Sequence, residues 1–133
     1  MATVNVKYTR SQGRNAFTSF HTIWDSTANH AAVTVVDLSA DADAGHTNSI
    51  TIQKVKILCT AGIDAQLLFD AGSDEPFINT ILGSTAWLDV DFRDNGLDGL
   101  TATASAATGD LLVTTTSAAS ADEMLILVWW RSN

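Results

Sequence analysis

Disulfides are the first thing this sequence does without. Its single cysteine, Cys59, has no partner in the chain, so no internal cross-link can hold the fold. The flanking Ile57 and Leu58 mark it as a core thiol. Proline occurs once, at Pro76, yet few stretches have the length and period of a helix. No apolar run approaches the roughly 20 residues that a membrane-spanning helix needs. The opening Met-Ala-Thr-Val-Asn-Val carries no basic-then-apolar leader, so no export signal is expected. Basic residues are scarce: seven Lys and Arg against fifteen Asp and Glu leave a net charge of −8. A nucleic-acid partner, which needs a basic footprint, is therefore not expected. No Gly-x-Ser-x-Gly elbow and no phosphate-binding glycine loop occurs, and His21, His30 and His46 are not at metal-ligand spacing. Each histidine reads as a lone surface or sheet residue.

Apolar residues make up 46% of the 133-residue chain, enough for one globular core. Turn-like clusters recur every 8–12 residues or so, the rhythm of an all-β sandwich or barrel. The strongest element is Glu123–Arg131, in which seven apolar residues, Met124–Trp130, lie between charged ends. Its Ile, Val and Trp favour a strand. Met124, Ile126, Val128 and Trp130 would then share one face, and Leu125, Leu127 and Trp129 the other. Both faces are apolar, so one should meet the protein's own core and the other a second layer or a neighbouring subunit.

About ten strands and no helix are expected. Thr3–Thr9 alternates as a half-buried strand or an arm. Ala16–Trp24 spreads Phe17, Phe20, Ile23 and Trp24 over both faces. Val33–Val36 is short, and residues 39–48 form an acidic loop of small residues. In Ser49–Leu58 the phase changes between Ile50/Ile52 and Val55/Ile57, which a bulge near Gln53-Lys54 would explain. Thr85–Phe92 has the clearest alternation, with Trp87, Asp89 and Asp91 facing out and Leu88, Val90 and Phe92 in. Eight strands in two sheets would form a jelly-roll-like sandwich. The expectation is an all-β, single-domain β-sandwich over residues 15–133, with residues 1–14 as an N-terminal arm or edge strand.

Chemistry is thin. Asp41-Ala42-Asp43-Ala44-Gly45 resembles the start of a calcium loop but lacks the later glutamate, and Asp70, Asp74 and Glu75 form a second acidic group. Both read as solvated loops. No cofactor, metal or catalytic residue is expected, so the chain is not expected to be an enzyme. Trp87, beside Asp89 and Asp91, is the ring placed for exposure, and a subunit interface suits it better than a sugar.

The charge is also unevenly distributed. Residues 1–56 carry five basic and four acidic side chains, and residues 57–133 two basic and eleven acidic. The mildly basic N-terminal part therefore has a different docking potential from the acidic body.

Gly13-Arg14-Asn15-Ala16-Phe17, Val36-Asp37-Leu38-Ser39 and the Ile52–Ile57 strand resemble a recurrent type of tailed-bacteriophage structural protein, the small all-β capsid decoration or cement type. Leu67-Leu68-Phe69-Asp70-Ala71 and Thr108-Gly109-Asp110-Leu111-Leu112-Val113-Thr114-Thr115 extend the resemblance, which runs from about Arg10 to Arg131. The Val128-Trp129-Trp130 ending departs from the type. The resemblance implies a virion protein, made in the host cytoplasm, that decorates the capsid surface as a homotrimer and binds the major capsid protein. Leu125, Leu127 and Trp129, with Phe20, Trp24 and Trp87, are then the candidate subunit interface. Lys7, Arg10 and Arg14 are the candidate shell-binding residues. The alternative is a tail- or fibre-associated module that binds host glycans through Trp87. Neither reading involves nucleic acid or a membrane.

Overall fold

A computed structural model of the chain describes residues 4–12, 15–25, 29–42, 49–60, 63–79, 87–93, 99–101, 109–116 and 121–132. Among them, ten strands and one helical turn follow in order: β1 (Val4–Gln12), β2 (Asn15–Ile23), β3 (Val33–Val36), α1 (Leu38–Asp41), β4 (Ile50–Cys59), β5 (Asp64–Phe69), β6 (Glu75–Asn79), β7 (Trp87–Asp91), β8 (Leu100–Thr101), β9 (Leu111–Thr116) and β10 (Glu123–Ser132). They form two antiparallel sheets. The larger runs β1-β2-β10-β4-β7, with the short β8 also on β4; the smaller runs β3-β9-β5-β6. The pairs are nested: β2 with β10, β3 with β9, β4 with β7 and β5 with β6. The chain is thus a single all-β sandwich.

One core lies between the sheets. The larger sheet gives it Phe20, Val55, Ile57, Met124, Ile126, Val128 and Trp130; the smaller gives Val35, Leu67, Phe69, Leu111 and Val113. Strand β10 takes the middle place, with β2 on one side and β4 on the other. Its side chains alternate as the sequence predicts: Met124, Ile126, Val128 and Trp130 are fully buried, while Leu125, Leu127 and Trp129 are half-buried on the far face.

The phase change in β4 is a bulge. Trp129 pairs with Lys54 and Trp130 with Ile52, so Gln53 is the extra residue, and its carbonyl accepts the Phe92 N–H instead, at 2.8 Å. Pro76 lies on β6, an edge strand, the place in a sheet where proline is tolerated. Val4–Gln12 is an edge strand that pairs with β2 along its length, and not a detached arm.

Sequence reading missed α1, a single turn too short to show a helical period. It closes on itself: the Asp37 carbonyl accepts the Asp41 N–H at 2.7 Å, and the Asp41 carboxylate accepts the Asp37 N–H at 2.8 Å. Asp110 Oδ1 accepts the Leu38 N–H at 2.9 Å. The preceding Gly109 has φ of +87°, and a Cβ there would lie 2.3 Å from Leu38 Cδ2. Glycine is thus required both by the backbone and by the space.

Candidate interaction surface on the outer face of the larger sheet

Cross-strand register fixes which residues share the face turned away from the core. Arg10, Phe17, Trp129, Lys54 and Asp91 form one row across β1, β2, β10, β4 and β7. Tyr8, Ser19, Leu127, Lys56 and Asp89 form the next. Val6, His21, Leu125 and Leu58 form the third, which ends at Trp87. The backbone of Trp87 closes that row on β7; its side chain lies outside the described residues.

This face carries an apolar stripe. Val6, Tyr8, Ile23 and Leu58, at 56%, 58%, 41% and 37% exposure, are the large hydrophobic residues left open among those described, and all four belong to it. Nearby, Phe17 packs against Trp129 with ring centroids 5.1 Å apart. Lys54 Nζ sits 5.3 Å from the Trp129 ring centroid, within cation–π range. An open groove of about 360 Å³ is lined by His21, Leu58, Cys59, Thr60, Glu123 and Leu125, with Met124 at its floor.

Both signs of charge flank the apolar stripe. Lys54 approaches Asp89 at 3.8 Å. Arg93 grips Asp91 with two bonds, Nε to Oδ1 at 3.0 Å and a terminal nitrogen to Oδ2 at 2.8 Å. That fork holds the Asp91 carboxyl down at about 2. His21 Nε2 lies 3.4 Å from Glu123 Oε1.

The expected site residues separate. Leu125, Leu127 and Trp129 do stand together on the outer face. Phe20 and Trp24 do not join them: at 3% and 1% exposure they belong to the chain's own core, because even-numbered positions of β2 point inward. Lys7 and Arg10 lie on opposite faces of β1, since they are three positions apart. Lys7, itself exposed, lies on the opposite face and pairs with Asp41 of α1, so of the two only Arg10 stands on the outer face. Arg14, Asp43–Gly45 and His46 lie outside the described residues.

His30 corrects the surface reading. It is 7% exposed and packs against Trp24 and Phe20, with centroids 5.1 and 6.0 Å apart. Thr22 donates its hydroxyl hydrogen to Asn5 Oδ1 at 2.7 Å, so His30 Nε2, 3.0 Å from the same hydroxyl, is the donor. Burial lowers the His30 pKa. No sequence signal marks this site, because its partners come from β2 and, through Thr115, from β9.

The Cys59 thiol at the groove is pushed up to about 11 by burial, with Asp122 and Asp64 adding to the effect; at neutral pH it stays protonated and weakly nucleophilic. Asp37, Asp41 and Asp110 gather around α1, but each carboxylate already accepts a bond, Asp37 from the Ser39 hydroxyl at 2.7 Å. Burial raises the Asp110 pKa. No described group of His, Cys, Asp or Glu has the arrangement of a metal site. Among the described residues no helix is long and apolar enough to cross a membrane. The chain matches no protein-family model and no curated protein.

Proposed function

We propose that this chain is a tailed-bacteriophage capsid decoration protein, which binds the assembled head shell and stabilises it without doing chemistry. The observation that carries the reading is the nested strand pairing, second strand with last and inward from there. We read it as the winding of a jelly roll, an architecture common among viral capsid proteins. The sequence resemblance points the same way. The face exposed beside the sandwich is built for protein contact: an apolar stripe with a charged rim.

The shell-binding element in this reading is the end of the β1–β2 hairpin at Gln12 and Asn15. Arg10 is exposed there beside a small depression of about 240 Å³ lined by Asn15, Ala16 and Phe17, and Arg14 lies four positions further along the sequence. Lys7 is withdrawn from the role because Asp41 holds it. Deleting residues 1–14 would also strip an edge strand, so the test is charge reversal. Purified particles lacking this protein are mixed with the wild type or with Arg10→Glu/Arg14→Glu, and bound copies are counted by quantitative mass spectrometry against the major capsid protein. Binding at a simple ratio to the shell subunits, lost in the variant, is expected. No binding by the wild type overturns the decoration role; equal binding by both overturns the hairpin assignment. A handful of copies per particle would favour a tail location.

A further inference from the structure

We infer that the outer face of the larger sheet is where a second copy of this chain docks, face to face. The apolar residues argue first. The large hydrophobic side chains exposed among the described residues all lie on this one face. A head-to-tail contact joins two different patches, whereas a two-fold contact joins a patch to itself. With a single apolar patch described, the two-fold contact is the one that hides apolar surface on both partners. Magnitudes favour that choice. Exposed charge pairs contribute little, while each large apolar side chain taken out of water contributes more.

Area is sufficient. Five strands about 4.8 Å apart and about 25 Å of strand length give a face of roughly 600 Å² per copy. Two faces bury roughly 1,200 Å², at the lower limit for a specific interface of about 1,200–2,000 Å². The β10 row Leu125, Leu127 and Trp129 runs through the middle, where the residues that dominate binding collect.

Charge decides where two copies can approach. The chain carries −8, so two copies repel at most orientations. The outer face is the exception. By register it holds Arg10, Lys54, Lys56 and Arg131 against Asp89, Asp91 and Glu123, which is close to neutral. The trimer implied by the sequence resemblance would instead need a second, complementary patch.

The test is the mass in solution, independent of particle binding, so this inference and the shell-binding role fail separately. Sedimentation equilibrium over a range up to about 100 μM reads the assembly. A dimer is expected, and Val6→Glu/Leu58→Glu should weaken it by about tenfold or more. Both positions are exposed, so the variant should keep its β-type circular dichroism and cooperative unfolding; if it does not, Val6→Ser/Leu58→Ser replaces it. A monomeric wild type overturns the inference and leaves the face to another partner. A trimer overturns the two-fold contact, and a dimer that the variant leaves unchanged overturns the assigned face.

Discussion

The two faces of β10 are built from almost the same residues and meet different surroundings. Met124, Ile126, Val128 and Trp130 are sealed beneath the second sheet. Leu125, Leu127 and Trp129, one step out of phase, are half-covered by their neighbours on β2 and β4. Hydrophobicity along the strand does not separate the two sets. What separates them is the presence of a second layer, which the smaller sheet supplies on one side only. An apolar face is thus a request for a cover, and the fold answers one of the two requests.

The largest expected effect is within the Trp129-Trp130 pair. Trp130→Ala empties a fully buried site and removes the indole N–H that Thr18 Oγ1 accepts at 3.0 Å, and should cost about 3–5 kcal/mol in chemical denaturation. Trp129→Ala loses the Phe17 contact and the Lys54 cation–π contact, about 1–2 kcal/mol together. Equal losses would break the comparison between the faces. Ile126→Ala and Leu127→Ala repeat it with aliphatic side chains, about 2–5 kcal/mol inside and about 1 kcal/mol outside.

Next in size comes Gly109→Ala, where the positive φ and the Leu38 side chain both oppose a Cβ. A loss of about 1–3 kcal/mol in thermal or urea unfolding is expected. It asks whether the turn before β9 is as sealed as the inner face of β10.

Buried His30 gives the comparison a pH axis. Its pKa is lowered in the folded protein from an ordinary value of 6.5, so below that value the unfolded chain binds the extra proton more readily. Its contribution to stability is complete above 6.5 and is lost as the pH falls toward the lowered folded value. Urea midpoints measured from about pH 7.5 to 5.5 should fall toward acid. His30→Gln should flatten this slope.

The smallest effect is expected at the rim. Lys54→Ala removes an exposed ion pair and one cation–π contact, about 0–1 kcal/mol.

Much of this architecture is legible in the sequence because β-strands write their faces at period two. The alternation of β7, the two apolar faces of β10 and the Gln53 bulge are all visible from residue order alone. β2 is not. Its inner face is Thr18, Phe20 and Thr22, with Trp24 just beyond its end, and two threonines there break the apolar pattern. They are buried because distant groups satisfy them: Trp130 and Thr9 for Thr18, Asn5 and His30 for Thr22. The Lys7–Asp41 pair is hidden for the same reason, since 34 positions separate its members. Pairings made through space leave no local trace, which is why Phe20, Trp24, Lys7 and His30 read differently in the sequence and in the fold.

The place of β10 also sets the order in which the molecule can be built. It is the tenth strand made, yet it fills the gap between the second and the fourth. Until residue 132 has left the ribosome, β2 and β4 each lack the neighbour that lies between them, and both keep an open edge toward other chains. Folding therefore has to close long loops late, which makes it slow for a domain of this size. A chain interrupted before Glu123 would not be a shortened version of this sandwich. It would be two unjoined ribbons, with the widest core surface of the larger sheet left in water.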